Sequence, residues 1–355
     1  MTKRNLEVRL LMRILAIIGF VIISLLLAGY IFIRIQVPQL LEFSKGITEY
    51  RISVKLNSLD GARFITVMNG CENIFLEEGT TDFYVSCLDG KINHLDHDLS
   101  GIPGINKSLK AGNAVMGLSV DKEGNLIAAV CNYSLKEWRT KGGALYRISR
   151  DLVTMEKISG DYPSVNGICN DSAGNLYFTS SNFNIFRPEG TIYRMLYIGD
   201  GLFQFPEPFI RDAGLANGLF YDHHQDKIFF SNTMGGIFEF APKENILKEV
   251  YLKTRFMEAC DDLCTDISGN IWITDPGYST VKMYNPATNR LVRFIIEGIG
   301  QTSSCRIRSE NGLEMLYITE LKTSHQPVSY KFDGRGVLVV PAQSLLKLLE
   351  PFLIK

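Results

Sequence analysis

Four oxygen-bearing side chains occupy the same place in a repeated sequence pattern. They are Glu72, Asn166, Asn217 and Asp261. Each opens a segment that runs through a polar turn into an apolar strand. Carboxylate and amide oxygens are the ligands that a hard cation such as Ca²⁺ prefers, and two of each leave positions for water or substrate. These side chains therefore predict a calcium site, provided that the fold brings them together.

The repeat predicts how the fold does so. A further copy opens at Met116, the openers recur at intervals of 44 to 51 residues, and a looser sixth copy from Ser303 keeps the interval near Ser304. An acidic residue follows each of the first five openers by five positions: Glu77, Asp121, Asp171, Asp222 and Asp266. Short strands and turns that repeat every ~40 to 50 residues are typical of propeller blades. The sequence thus predicts an all-β, six-bladed β-propeller.

Propeller geometry places the openers around one axis, because the innermost strand of each blade lines the central channel. The predicted ring consists of Glu72, Met116, Asn166, Asn217, Asp261 and, approximately, Ser304. Asn73 and Asp262 lie next to ring residues and can add oxygen ligands. An Asn or Asp at a strand entrance usually bonds only the nearby backbone. The coincidence of four such side chains at one register favours a shared site instead.

Composition and the remaining motifs exclude several functions. A net charge of −1 leaves no basic surplus to neutralise phosphates, which argues against a nucleic-acid partner. No His falls in the ring, no Gly-x-Ser-x-Gly elbow is present, and no His and Cys stand at zinc-ligand spacing. The seven cysteines contain no Cys-x-x-Cys pair. We expect most of them to be small buried side chains, and their spacing defines no disulfide framework.

The N-terminal region predicts a membrane anchor. Residues 14–33 form an uncharged apolar run of 20 residues, which is the length that a helix needs to cross a bilayer. Four basic residues precede the run and only Arg34 follows closely, so the N-terminus is expected in the cytoplasm and the propeller on the extracytoplasmic side. A cleaved signal peptide is the alternative, but its apolar region is usually shorter, about 7–15 residues.

Five segments follow from these patterns. Residues 1–13 form a cytoplasmic tail, 14–33 the transmembrane helix, 34–49 a connector, 50–340 the propeller and 341–355 a C-terminal amphipathic tail. The tail is expected to pack on the propeller. A propeller closes its ring by completing the last blade with a strand from the other chain end, and residues 50–56 and 62–68 are the two candidates for that strand.

The ring residues and the segments VNGICNDSAGNLYF, ANGLFYD and CDDLCTDISGNIWITD resemble the regucalcin/gluconolactonase superfamily. Its paraoxonase, diisopropylfluorophosphatase and strictosidine synthase-like relatives are similar too. The resemblance spans about residues 51–336. It implies that Glu72, Asn166, Asn217 and Asp261 hold a catalytic calcium in the central tunnel. The pair formed by Asp261 and Asp262 resembles the paraoxonase Asp-Asn pair.

The sequence also departs from these families. Met116 and Asn132 stand where paraoxonases carry a histidine dyad, and Gly167 stands where they use an Asp for a second, structural calcium. The resemblance therefore supports the first calcium but neither the second calcium nor a dyad mechanism. Strictosidine synthase-like propellers often lack the metal, so the four ligands favour the other branches.

The expected activity is calcium-dependent hydrolysis of an ester or lactone. The cation would polarise the substrate carbonyl and stabilise the oxyanion, while Asp261 or Asp262 orients water, deprotonates it or attacks directly. Apolar contacts are expected from Tyr133, Phe183 and Tyr278. Two alternatives remain open: a non-catalytic, calcium-stabilised binding or scaffold module, and a strictosidine synthase-like condensing enzyme.

Overall fold

The computed structural model describes residues 3–36, 43–66, 70–77, 79–95, 105–134, 139–182, 184, 187–322 and 336–350. Phe183 and the side chain of Tyr133, two of the predicted substrate contacts, lie outside this description. The predicted all-β, six-bladed propeller is confirmed, and one helix precedes it.

The N-terminal helix α1 spans Lys3–Gln36, and its side chains are described from position 14 to position 30. Most of these are exposed apolar groups. Within the described part of the chain, no helix combines the length and the apolar character needed to cross a membrane. The structure thus gives no support to the predicted transmembrane helix, which stays a prediction.

Two strands precede the blades, β1 (Thr48–Val54) and β2 (Arg63–Thr66). The first blade consists of β3 (Cys71–Leu76), β4 (Phe83–Cys87), β5 (Lys91–Leu95) and β6 (Ile105–Lys110). The second consists of β7 (Ala114–Val120), β8 (Leu126–Ser134), β9 (Arg139–Ile148) and β10 (Met155–Lys157). The third consists of β11 (Ile168–Asn170), β12 (Leu176–Ser181), β13 (Gly190–Met195) and β16 (Glu207–Ile210), with the hairpin β14 (Tyr197–Gly199) and β15 (Leu202–Phe203) inserted.

The fourth blade consists of β17 (Ala216–Asp222), β18 (Lys227–Asn232), β19 (Gly236–Phe240) and β20 (Lys248–Leu252). The fifth consists of β21 (Leu263–Thr265), β22 (Ile271–Asp275), β23 (Thr280–Asn285) and β24 (Arg290–Ile296). The sixth consists of β25 (Gln301–Glu310), β26 (Leu313–Lys322) and β27 (Gly336–Pro341). The helix α2 (Ala342–Lys347) follows and packs the buried Leu345 against the core between blades 5 and 6.

Both candidate N-terminal strands take part in closing the ring. Strand β2 pairs antiparallel with β27, with Arg63 opposite Val339, and so supplies the outer strand of blade 6. Strand β1 adds a fifth strand to blade 5 by pairing parallel with β24, with Thr48 opposite Arg290. The innermost strands contact one another in the closed order β3, β7, β11, β17, β21, β25 and again β3. This order is the ring that the repeat predicted.

The Asp five positions after the opener holds a turn in blades 2 to 5. Asp171 Oδ1 accepts a hydrogen bond from the backbone N–H of Asn175 at 2.9 Å, and Asp266 Oδ1 accepts one from Asn270 at 2.9 Å. Asp121 and Asp222 make equivalent bonds to their own turns. The Asp side chains therefore fix the turn between the first two strands of these four blades, which is a structural and not a catalytic role.

Candidate metal and catalytic centre

Each ring opener lies at a local irregularity of its innermost strand. In blades 1, 2, 4 and 6 the pairing register shifts at the opener, so that the innermost strand carries one residue more than its partner. In blade 3, Thr179 bonds both Asn166 and Gly167 through its backbone, and Thr274 does the same with Asp261 and Asp262 in blade 5. A β-bulge re-aims side chains. The bulges account for the departure of the openers from the simple alternation of the strand.

Hydroxyl groups on the second strands tie the openers to one another. In five blades a Ser or Thr donates a hydrogen bond to the backbone oxygen of the next blade's opener: Ser86 to Met116, Thr179 to Asn217, Ser231 to Asp261, Thr274 to Ser303 and Thr319 to Glu72. The same hydroxyl accepts from the N–H that follows the opener in its own blade. Blade 2 has Ala129 at this place, and there Gly117 N–H bonds Asn166 O directly at 3.0 Å. We call Ser86, Thr179, Ser231, Thr274 and Thr319 the hydroxyl belt.

The belt corrects the sixth ring position. Thr274 Oγ1 lies 2.6 Å from the backbone oxygen of Ser303, whereas Ser304 supplies the following N–H to Thr319. Ser303 is therefore the sixth opener, and the approximate prediction of Ser304 was wrong by one residue. The sixth copy contains no Asn or Asp opener that would have marked its register.

Ser303 joins two of the predicted ligands. Its hydroxyl lies 2.9 Å from Glu72 Oε2 and 2.9 Å from Asp261 Oδ2, and all three residues are buried. One hydroxyl has a single proton to donate. When both carboxylates are charged, only one of them can accept that proton. The other carboxylate then needs a proton of its own or a cation.

The pKa values of Glu72 and Asp261 reflect their burial without a cationic partner among the described residues. Burial, followed by the negative charge of Asp261, raises the pKa of Glu72 well above its usual range. Burial also raises the pKa of Asp261 to about 7, and the charge of Asp262 adds to this shift while hydrogen bonds from Ser303 and Asn217 oppose it. Strongly perturbed carboxyl groups in a channel are typical of functional sites.

The side-chain carbonyl oxygens of the two predicted amide ligands, Asn166 and Asn217, can act as metal ligands. Asn217 donates from Nδ2 to Asp261 Oδ1 and, at 3.1 Å, to Thr233 Oγ1. These bonds use both of its amide protons, and its Oδ1 accepts no hydrogen bond from a described residue. The buried side chain of Asn166 makes no hydrogen bond within the described part of the chain. Met116, the ring residue between Glu72 and Asn166, presents a buried thioether.

Asp262 belongs to a separate cluster one residue further along the channel. Its Oδ2 accepts hydrogen bonds from Asn73 Nδ2 at 2.9 Å, from Ser304 Oγ and from Arg306 Nη1 at 2.7 Å. Its Oδ1 is buried without a hydrogen-bond partner and lies against the backbone of Gly218. The structure thus brings Asp261 together with Glu72 and Asn217. It pairs Asp262 instead with the guanidinium group of Arg306.

The chemistry of the donor set fits a hard cation. Glu72 and Asp261 supply buried carboxylates that lack a cationic partner in the described chain, and Asn166 and Asn217 supply amide oxygens. Yet among the residues that the structure describes, no three His, Cys, Asp or Glu side chains form a group able to hold a metal ion. Calcium therefore stays a prediction from the donor types.

A cavity of about 800 Å³ lies further along the innermost strands. Its lining includes residues two to five positions beyond the openers, such as Leu118, Leu219, Phe220 and Arg306. None of the four predicted ligands is among its described lining residues. Arg306 lines this cavity and pairs with Asp262, the residue after the opener Asp261, so the cavity carries a cation that the ring of openers lacks among the described residues.

The remaining predicted contacts lie away from the ring. Tyr278 is part of the turn after β22, where its N–H bonds Asp275 and the guanidinium groups of Arg255 and Arg293 face its ring. The described contacts of Tyr278 thus involve no opener.

Comparisons with known proteins agree with this architecture. Residues 164–322 match the family model of the SMP-30/gluconolactonase/LRE-like region. A search of curated proteins finds no match to the sequence. Among solved structures, a gluconolactonase from Xanthomonas campestris is 19% identical with a TM-score of 0.55, covering 78% of this chain and 87% of its own.

Two further structures share the fold. A calcium-binding regucalcin from Agrobacterium tumefaciens is 12% identical with a TM-score of 0.61 and covers 82% of this chain and 95% of its own. A luciferin-regenerating enzyme is 14% identical with a TM-score of 0.57, with 78% and 91% covered. At these identities the likeness establishes the fold. Over residues 164–322 the chain is similar to the SMP-30/gluconolactonase/LRE-like region, and this region forms part of a six-bladed propeller.

Proposed function

We propose that the propeller is a calcium-dependent hydrolase of esters or lactones. The observation that carries the proposal is the contact of Glu72 and Asp261 through the single hydroxyl of Ser303, with no cation beside them in the described chain. Burying two uncompensated carboxylates is costly. A protein retains such an arrangement most readily where a cation or a reaction uses it. The similarity of residues 164–322 to the gluconolactonase-like region supports the hydrolase class.

The ligands are Glu72, Asn166, Asn217 and Asp261. A calcium ion bound there would supply Lewis-acid polarisation of the substrate carbonyl. Asn217 and Ser303 hold the two oxygens of Asp261 in place, which fixes the direction in which this carboxylate faces the channel. Asp261 is thus the group that orients water and takes its proton. The hydroxyl belt keeps the backbone of the ring in register.

Asp262 takes a positioning role. Arg306, Ser304 and Asn73 all bond its Oδ2, so its carboxylate is already neutralised and anchored. We therefore assign the action on water to Asp261, while Asp262 fixes the direction of the chain immediately after it.

The test is hydrolysis of phenyl acetate and a panel of lactones by the full-length protein, with Ca²⁺ or with a chelator. Asp261→Asn is compared with Asp161→Asn, whose carboxylate is 82% exposed on the surface. The proposal predicts turnover that chelation and Asp261→Asn both abolish and that Asp161→Asn leaves unchanged. Turnover that is insensitive to chelation and to Asp261→Asn would contradict it.

The second candidate is a calcium-stabilised binding module without catalysis. Met116 favours it, since this buried thioether occupies a ring position at which the paraoxonase-like relatives carry a histidine of their dyad. Such a module predicts that Ca²⁺ raises the melting temperature while no ester or lactone is turned over. The same chelation experiment, read by calorimetry as well as by hydrolysis, separates the two candidates.

We propose further that residues 14–33 anchor the propeller on the extracytoplasmic side of a membrane. Support comes from the uncharged sequence and from the exposed apolar side chains of positions 14–30, such as Phe20 and Leu26. The anchor predicts that the full-length protein stays in the membrane fraction after carbonate extraction, and that protease added outside sealed vesicles of cytoplasm-inside orientation digests the propeller. Release by carbonate would exclude an integral anchor.

A further inference from the structure

Cys71 and Cys87 form a buried thiol pair beside the ring. They stand directly opposite each other in the antiparallel pairing of β3 with β4. Both are fully buried. None of the seven cysteines forms a disulfide in this structure. The pair is thus the one place where two thiols face each other across a single sheet of the described chain.

The backbone at this pair has the geometry of a cross-strand disulfide. The N–H of Leu88 donates to the oxygen of Gly70 at 3.0 Å, which places Cys71 and Cys87 at a non-hydrogen-bonded position of the ladder. At such positions the Cα atoms lie about 4.5 Å apart and the side chains point to the same face. Native disulfides join Cα atoms about 4.4–6.8 Å apart. A bond between these cysteines therefore requires no rearrangement of the strands.

We propose that Cys71 and Cys87 are a modification site at which a small-molecule disulfide of the glutathione type forms a cross-strand disulfide. The thiolate of one cysteine attacks the reagent and releases one thiol, and the second cysteine displaces the other half from the mixed disulfide. Two protons and two electrons leave the pair, and the reagent disulfide becomes two thiols. One S–S bond forms and one breaks.

Burial determines when this exchange takes place. Neither sulfur is accessible in the folded propeller, so the exchange occurs while β3 and β4 are still open during folding. Once the blade has packed, the same burial protects the bond from reductants. Cys71 directly precedes Glu72, and Cys87 directly follows Ser86 of the hydroxyl belt. The disulfide therefore joins the two strands at the bulge that carries Glu72.

The pair Cys264 and Cys305 provides an internal comparison. Their sulfur atoms lie 3.7 Å apart, but the two residues belong to innermost strands of different blades. No ladder sets the Cα separation there. The proposal thus predicts selective bonding of Cys71 with Cys87, and it does not depend on the proposed hydrolase function.

The test is refolding of the full-length protein in a glutathione redox buffer, followed by alkylation and peptide mapping without reduction. Trypsin leaves both cysteines in one peptide, because no Lys or Arg lies between Arg63 and Lys91. We expect this peptide to carry no alkyl group on either cysteine and to be lighter than its dithiol form by two hydrogen atoms. Its two halves should stay linked after cleavage of the peptide bond that follows Glu77. The oxidised protein should melt a few degrees above the reduced protein, and Cys71→Ala/Cys87→Ala should abolish this difference.

Full alkylation of both cysteines, when the oxidised protein is denatured before the alkylating reagent is added, would overturn the proposal. So would a disulfide between Cys264 and Cys305 in place of the predicted one. Export of the protein into the bacterial periplasm gives the same readout without refolding, so a failure of refolding in vitro leaves the test intact.

Discussion

Glu258 and Asp261 stand three residues apart, both are buried, and their pKa values shift in opposite directions. Burial alone would raise the pKa of Glu258, but the charges of Lys282 and Arg293 outweigh it and lower this pKa to about 2. Burial raises the pKa of Asp261 to about 7, and the nearby Asp262 adds to the shift. The difference lies in the neighbours and not in the degree of burial.

The first group is an ion network. Lys282 Nζ lies 2.6 Å from Glu258 and 3.5 Å from Asp275, while Arg293 lies 2.8 Å from Asp275 and 3.3 Å from Glu258. Glu49 extends the network, since it lies 3.2 Å from Arg293 and 2.6 Å from Arg255. The network holds the chain that leads to Asp261. The network therefore helps to fix the position of Asp261 in the ring of openers.

The second group is the pair formed by Glu72 and Asp261, which share Ser303 and face no cation in the described chain. The comparison teaches that compensated buried charges mark the scaffold and uncompensated ones mark the candidate site. Each prediction below changes one side of this comparison, and they run from the largest expected effect to the smallest.

Lys282→Met should cause the largest loss. It leaves two buried carboxylates with one cation, and breaking a buried ion pair in this way costs about 3–5 kcal/mol. Urea unfolding followed by circular dichroism measures the loss. Lys248→Met, whose side chain is 71% exposed beside Glu239, is the control and should change the free energy of unfolding by less than about 0.5 kcal/mol. Equal stability of Lys282→Met and the wild type would show that the network is not needed.

Asp261→Asn should lower the activity without lowering the free energy of unfolding. We expect ester or lactone hydrolysis to fall by at least about 100-fold, the effect typical of losing one charge-stabilising catalytic group. In chelator, however, the free energy of unfolding should stay the same or rise, because the amide removes a repulsive charge. Glu258→Gln is the matched neutralisation and should destabilise the protein. If both variants were destabilised equally, the contrast between the two groups would be lost.

The contributions of Asp261 and Glu258 to the free energy of unfolding should also depend on pH in opposite ways. The folded pKa of Asp261 exceeds that of an unfolded Asp, so its contribution to the free energy of unfolding falls as pH rises from about 4 to about 7. The folded pKa of Glu258 lies below that of an unfolded Glu, so its contribution is complete above about 4.5 and is lost as pH falls toward 2.

Melting temperatures of the metal-free protein across this range check the prediction. The wild type should melt higher at pH 5 than at pH 7, and Asp261→Asn should reduce that difference. A pH-independent melting temperature over this range, identical in both proteins, would contradict the raised pKa of Asp261.

Ser303→Ala should have the smallest effect. It removes the hydroxyl between Glu72 and Asp261 and should lower the free energy of unfolding by about 1 kcal/mol in chelator, which is the usual net value of a hydrogen bond. Ca²⁺ should reduce the deficit, because the cation compensates the carboxylates directly. Ser58→Ala, which removes an exposed hydroxyl bonded to Lys55, is the control. A deficit that Ca²⁺ leaves unchanged would argue that Ser303 is only a packing residue.

The sequence predicted the ring because the repeat places equivalent residues around one axis. Asn166, Asn217 and Asp261 were recognisable at one register, and so was Glu72. Ser303 was missed by one position because its blade lacks an Asn or Asp opener. The hydroxyl belt was missed although its signal is present, namely a Ser or Thr that ends an apolar stretch of the second strand in every blade except blade 2, as in Leu176-Tyr177-Phe178-Thr179.

Other features have no repeated signal to reveal them. The ion pair of Arg306 with Asp262 joins residues 44 positions apart, and the network joins Glu258 with Lys282 and Arg293 from separate strands. Contacts of this kind follow from how neighbouring strands meet in space. No spacing along the chain distinguishes them from ordinary surface charges.

The central claim is that Glu72 and Asp261 form a site that a cation completes. Thermal unfolding of the full-length protein at pH 7.5, in chelator and in Ca²⁺, tests it most directly. Ligand at 100 times its dissociation constant stabilises the folded state by about 2.7 kcal/mol. We predict that Ca²⁺ raises the melting temperature of the wild type and leaves that of Asp261→Asn unchanged. Identical melting of the wild type in chelator and in Ca²⁺ would contradict the account.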